Sequence, residues 1–235
     1  MVFIFIILIL TTCIFFFVIK KEPGEEKWEK QLNKTLLALR FDKSEDNNAN
    51  LAKHLMIINE RKTGPGQRKI YNLYSRREQN FDIYICDYLI SSSSSGYITW
   101  ERHLTICVVS QQLNLPRFSI EAIPQLEGWM LKLTETAFSS SPLPLLQEKK
   151  ISNLQFNKRF KLYCSEEIEP GKFFEASLFN EFIQQGNVNL DAKADTLAFH
   201  NLDIEIDRLH NKFDSQKIIT LVSFAKDIFI KLCRS

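Results

Sequence analysis

Tyr97-Ile98-Thr99-Trp100-Glu101-Arg102-His103-Leu104-Thr105-Ile106-Cys107-Val108-Val109-Ser110 alternates in character from one residue to the next. Successive side chains of a strand point to opposite faces of its sheet. Ile98, Trp100, Leu104, Ile106 and Val108 therefore share one face, while Thr99, Glu101, His103 and Thr105 share the other. Arg102 is the exception on the apolar side. Such a pattern predicts a strand of an antiparallel sheet with one buried and one wet face. Working outward, β-rich runs cover 70–74, 81–90 and 118–123, and antiparallel hairpins are the economical way to join them. The serine-rich 91–96 segment is the expected hairpin tip, and the charged residues 76–80 form the turn before it.

Further along, Leu126, Trp129, Met130, Leu133 and Ala137 predict an amphipathic helix over 126–138. A half-buried strand is expected over 154–164, with Phe156, Phe160, Leu162 and Cys164 on its apolar face. Pro170-Gly171 opens a helix over 171–185 with Phe174, Leu178, Phe182 and Ile183 in its stripe, and Gly186 closes it. A small hairpin is expected around 191–195, and a helix over 214–233 capped by Asp214 or Ser215. These elements make an α+β domain, a mostly antiparallel sheet packed by amphipathic helices.

The N-terminal part reads differently. Residues 2–19 are 18 residues without a charge, closed by Lys20 and Lys21, and as a helix they would rise ~27 Å, near the hydrocarbon thickness of a bilayer. A cleaved signal peptide would need a basic region ahead of the apolar run and a small-residue cleavage site, and neither is present. Leu10-Thr11-Thr12-Cys13 resembles a lipoprotein cleavage box, yet 14–19 stays apolar where a mature lipoprotein would turn polar. An uncleaved transmembrane anchor is the expectation. Lys20, Lys21, Lys27 and Lys30 follow the run and no basic residue precedes it, which places the remainder on the cytoplasmic side. Widely spaced Cys86, Cys107, Cys164 and Cys233, with no C-x-x-C pair, fit a reducing compartment. The expected organisation is an anchor at 1–21, a membrane-proximal helical stalk and linker at 22–66, and the soluble α+β domain at 67–235. Within the stalk, Trp28, Leu32, Leu36 and Leu39 form one stripe of a helix over 25–40, and a short apolar helix runs over 51–59.

Composition narrows the chemistry. Seven glycines in 235 residues leave no G-x-G-x-x-G and no G-x-x-x-x-G-K-[ST], so nucleotide loops of those two kinds are excluded. A net charge of +2 carries none of the basic excess that marks a nucleic-acid surface. The basic stretch of Arg61, Lys62, Arg68, Lys69, Arg76 and Arg77, interleaved with Tyr71 and Tyr74, reads as a solvated edge or a contact to anionic lipid. His103 and Cys107 lie on one strand face ~13 Å apart, too far for a dyad. Asp82 and Asp87 fall on opposite faces of a regular strand, which rules out a carboxylate pair without a bulge. His200, Asp203, Asp207 and His210 have metal-ligand residue types but no recognised spacing, and a charged helix face is the simpler account. No catalytic, cofactor-binding or metal residue is assigned. Asp87, Tyr88 and His103 remain as candidates for contact with a partner, Asp87-Tyr88 because they read as a surface feature near the serine-rich tip.

The chain resembles a family of uncharacterised bacterial proteins with one N-terminal membrane helix and a soluble domain of unknown function. The likeness rests on Lys69-Ile70-Tyr71-Asn72-Leu73-Tyr74, the strand ending in Asp87-Tyr88, the Leu113-Asn114-Leu115-Pro116-Arg117-Phe118-Ser119 step and the Phe156-to-Leu162 run before a Phe-rich helix. It covers roughly residues 69 to 235, and Tyr163-Cys164-Ser165 departs from the Leu-Arg-Gly end expected there. The resemblance implies a fold and a membrane tether and no reaction. The functional expectation is a single-pass, membrane-anchored, non-enzymatic binding or scaffolding module. Its partners would be the bilayer through 2–19 and a protein at the membrane, with no nucleic acid and no cofactor. The alternative is a tethered enzyme whose site, drawn from residues such as His103, Asp87 or His200, assembles only in three dimensions.

Overall fold

The structure is a computed structural model and describes residues 23–44, 51, 54–55, 68–94, 97–123 and 146–233. Among these residues nine strands form one sheet in the order β1-β2-β3-β4-β9-β8-β5-β7-β6, with every neighbouring pair antiparallel. The strands are β1 (Asp42–Lys43), β2 (Arg68–Arg77), β3 (Asp82–Ser94), β4 (Tyr97–Val109), β5 (Leu115–Ala122), β6 (Gln147–Lys149), β7 (Phe160–Cys164), β8 (Val188–Ala194) and β9 (Thr196–Asn201). Helices are α1 (Pro23–Ala38), α2 (Leu154–Arg159), α3 (Pro170–Phe173), α4 (Ala176–Gln185), α5 (Leu202–Leu209) and α6 (Ser215–Leu232). The α+β architecture with a large antiparallel sheet is as the sequence reads. Both sheet edges are strands of only two or three residues, which limits edge-to-edge pairing with another chain.

The main core lies on one face of the sheet. Ile83 and Ile85 of β3, Leu104, Ile106 and Val108 of β4, and Leu197 and Phe199 of β9 meet Leu178 and Phe182 of α4 and Leu221, Ala225 and Phe229 of α6. Trp28, Leu32 and Leu36 of the stripe expected on the first helix are buried in this same core, and Leu39, just past the end of the helix, packs against it partly buried. Helix α1 runs alongside β2 in the same direction, tied at successive inward positions. Asn72 donates to Glu29, the Tyr74 hydroxyl to Asn33, and Arg76 to the Leu39 carbonyl.

Three expectations are corrected. The second face of β4 is not wet: Thr105 and Cys107 are fully buried, because Leu51, Leu55, Leu73, Cys86, Tyr88 and Ala198 close a smaller core over that side. Alternation along one strand cannot register a segment some fifty residues upstream. The serine-rich segment is not all hairpin tip, since Ser91 to Ser94 pair with Trp100 to Tyr97, extending the ladder through backbone groups that need no particular side chain. Residues 154–159, expected as strand, are helix α2. Asn153 accepts from the Phe156 amide and starts the helix, as Asn does at N-caps. Phe156 and Phe160 are four apart, so they share a face under either period, and their rings stack at 5.1 Å. Leu154 discriminates between the two, being 74% exposed where a strand would have buried it beside Phe156.

The helix expected over 171–185 divides into α3 and α4 around Phe174, and Gly186 closes α4 at φ 65. The hairpin of β8 and β9 and helix α6, capped by Asp214, form as expected. The helix expected over 126–138 and the anchor over 2–19 lie outside the described residues. Among the described residues no helix is long and apolar enough to cross a membrane.

Candidate functional site

The face of β3 and β4 that builds the main core is interrupted twice by charge, at Asp87 and Arg102. In the ladder Asp87 stands opposite Leu104 and Leu89 opposite Arg102, so the two charged residues are diagonal neighbours on one face. Asp87 is fully buried. Its Oδ2 accepts from Arg102 Nη2 at 2.6 Å and from Asn72 Nδ2 at 2.8 Å, and its Oδ1 accepts from Arg208 Nη1 at 2.6 Å. Three elements supply those donors. Arg102 comes with β4, and Arg208 from the last turn of α5. Asn72 sits where the β2–β3 register shifts, at φ 49, a left-handed conformation that Asn tolerates better than most residues.

Helix α1 closes the cluster from above. Arg102 bonds Glu25 and lies 3.1 Å from Glu29, Arg208 lies 3.7 Å from Glu25, and the Arg208 guanidinium covers the Trp28 ring at 4.4 Å. Glu205, one turn before Arg208, accepts from the Leu104 amide at 2.6 Å. That amide lies just beyond the part of β4 that β9 pairs, which begins at Thr105. Burial, with the neighbouring Arg208 cation, pushes the Arg102 guanidinium down to about 10, so it still carries its charge at neutral pH. Burial likewise raises the Glu205 carboxyl, against the pull of His103, the Leu104 amide and Arg208.

Chemically this arrangement is a tie. Both Asp87 oxygens are engaged by charge-assisted or amide donors, which leaves the carboxylate committed to binding and not to moving a proton. What it joins is specific: the first turns of α1 and the end of α5 to the middle of β2, β3 and β4.

On the opposite face, His103 and His200 approach with ring centroids 5.7 Å apart. Thr105 Oγ1 and His200 Nδ1 are 3.1 Å apart, and His200 Nε2 is 4.0 Å from Asp191. Thr105 and His200 are within hydrogen-bond distance, whereas the 4.0 Å between His200 and Asp191 is too long for a hydrogen bond, so the three groups do not form a continuous relay. Thr105 itself is wholly buried in mid-strand. Among the described residues no three His, Cys, Asp or Glu side chains gather as metal ligands do. A crevice floored by Trp28, Ile204 and Ile218 and rimmed by Asp207, Lys212 and Lys217 offers about 10 Å³, room for a single water.

Of the residues expected to contact a partner, Asp87 is at the centre of the ion cluster and Tyr88 is 1% exposed in the smaller core, so neither stands at the surface; His103 is half-buried beside His200. Asp82 and Asp87 do fall on opposite faces of an unbroken β3–β4 register. Asp203 and Asp207 are taken by Asn187 and Lys217. Tyr74 of the basic stretch is buried at 2%, which leaves Tyr71 as its exposed ring. Sequence reading missed Arg208, Glu25, Glu29 and Glu205. The signal for Arg102 was present as a charge breaking an apolar alternation. Nothing local pointed to Arg208, which reaches Asp87 across 121 residues.

Fold and cluster together define a mixed domain whose first helix is bolted ionically to its sheet. Compared with family models, with curated proteins and with solved structures, the chain matches none of them.

Proposed function

We propose that the chain is a non-enzymatic binding or scaffolding module held at the cytoplasmic face of a membrane by residues 2–19, in the manner of the tethered bacterial proteins it resembles. The observation that carries this reading is where α1 starts and what holds it. Helix α1 begins at Pro23, two residues after Lys21, and its first turns are fixed to the sheet through Glu25, Glu29, Arg102, Arg208 and Asp87. A span ending at Ile19 would be separated by only three residues, 20–22, from a helix that is part of the domain, so the domain would be held close to the bilayer. Tethering of this kind raises the effective concentration of a domain toward a protein partner in the same membrane. Flotation with membranes after an alkaline carbonate wash, followed by protease treatment of intact cells, tests it. The expected result is a chain that floats and a domain left uncut. Release by carbonate would remove the anchor, and digestion from outside would reverse the orientation.

The approach of His103 and Thr105 to His200 supports a second reading, a tethered enzyme. An activity screen of the detergent-solubilised chain, with His200→Ala and His103→Ala as controls, distinguishes the two. Turnover that either change abolishes in a folded chain would replace the module reading.

A further inference from the structure

Helix α5 turns Ile204 and Arg208 inward and leaves Ile206 47% and Leu209 82% exposed. Three residues apart, these two occupy one outward face of the helix. Among the described residues, the other large exposed apolar side chains, Leu37, Tyr71, Leu154 and Ile230, stand singly on four separate elements. The position of the pair matters more than its size. Asn211, two residues beyond Leu209, packs so closely on Gly24 that a Cβ there would meet its Oδ1 at 2.1 Å. Arg208 covers Trp28 and faces Glu25. The C-terminal end of α5 is therefore beside the first turn of α1, where the chain enters the domain, with Ile206 and Leu209 on the side of α5 turned away from the core. From Ile19 to Gly24 the chain can reach at most about 18 Å even fully extended. Lys27 and Lys212, both exposed, flank the same end, and Lys20 and Lys21 precede it.

We infer that Ile206 and Leu209 are a second membrane contact, inserted into the boundary between headgroups and acyl chains of the leaflet that the anchor leaves, with Lys27 and Lys212 toward anionic headgroups. This rests on the tether reading, since it is the anchor that brings α5 to the bilayer. An apolar pair at that depth recovers surface that water otherwise covers, and basic neighbours suit an anionic leaflet. With the anchor it would fix the domain's tilt at two points instead of one.

The test uses the full chain with Cys233→Ser, because the other described cysteines, Cys86, Cys107 and Cys164, are buried. Leu209→Cys, Ile206→Cys and, as the remote exposed counterpart, Leu154→Cys are each labelled with a polarity-sensitive fluorophore. The labelled chains are reconstituted in phosphatidylcholine and phosphatidylglycerol vesicles. Labels at 209 and 206 should shift to the blue, be quenched severalfold more than the label at 154 by lipids carrying a nitroxide near the headgroup, and be shielded from aqueous iodide. Equal iodide quenching at 209 and 154 in a chain that floats with the vesicles would overturn the inference and leave the tether standing. A blue shift at 209 without nitroxide quenching would also overturn it, and would assign the patch to a second copy or to the chain's own apolar segment. A chain that stays behind when the vesicles float overturns the tether reading itself, before any label is read.

Discussion

Asp87 shows how a single buried charge sets a local architecture. A carboxylate with no exposed surface is tolerated only when its charge is met, and here two guanidiniums and one amide meet it. Asp87→Ala would leave Arg102 and Arg208 facing each other in a half-dry site. Removing one member of a buried pair costs about 3–5 kcal/mol, and the lower end is expected because Glu25 and Glu29 still face the two cations. Urea unfolding of the detergent-solubilised chain measures this, and Asp87→Ala combined with Arg102→Met should cost less than the two single changes added. Glu205 gives a dependence on pH. Its carboxyl is raised by burial, so the folded chain holds that proton at a pH where the unfolded chain has released it. Stability attributable to Glu205 therefore falls as pH rises from the ordinary glutamate value of 4.5 through its raised folded value. Glu205→Gln should remove that part of the slope, raising the melting temperature relative to the parent above this window and not below it.

Among the elements, the α2–β7 step is where helix and strand periods coincide. Phe160, 1% exposed, stacks on Phe156 and meets the Phe182 ring edge-on at 5.8 Å, and Phe182 in turn meets Phe224 of α6 at 5.1 Å. Phe160→Ala should cost about 3–5 kcal/mol through lost burial and the cavity left behind. Leu154→Ser should change stability by no more than about 0.5 kcal/mol, as a surface substitution does. A strand through 154–159 would make that change nearly as damaging as the first, so thermal unfolding of the two variants reads the secondary structure directly. The same aromatic chain shows why α4 and α6 lie where they do. Edge-to-face rings bridge from β7 across α4 to α6 and on to Phe199 of β9.

For the molecule as a whole, the two faces of one sheet are closed by different parts of the chain, helices α1, α4, α5 and α6 on one side and Leu51 and Leu55 on the other. Cys86 and Cys107 lie in the smaller core, and burial raises both thiols well above their usual range, so reactive thiolate is scarce while that core is closed. Alkylation should therefore separate two classes. Cys233, exposed at the end of α6, reacts in the native chain, whereas Cys86, Cys107 and Cys164 react only on unfolding. Reaction of Cys86 and Cys107 ahead of Cys164, before the main core opens, would show that the smaller core unfolds on its own.

Sequence alone determined what depends on neighbours close along the chain: the alternation of β4, the stripe of α1, a cap for α6 at Asp214 or Ser215, which the structure gives to Asp214, and the glycine that ends α4. Each is written within a few residues, because capping and amphipathic burial act over one or two turns. It also flagged Arg102 as a charge out of place. Tertiary structure alone decided that this charge answers Asp87, that Arg208 joins them from 121 residues away, and that the second face of the sheet is covered. Those outcomes depend on which surfaces meet when the sheet closes, and a buried ion pair leaves no periodic mark in the sequence because its members are separated by folding, not by spacing. The run at 2–19 lies outside the described residues, so its reading as an anchor rests on its length and apolar character alone.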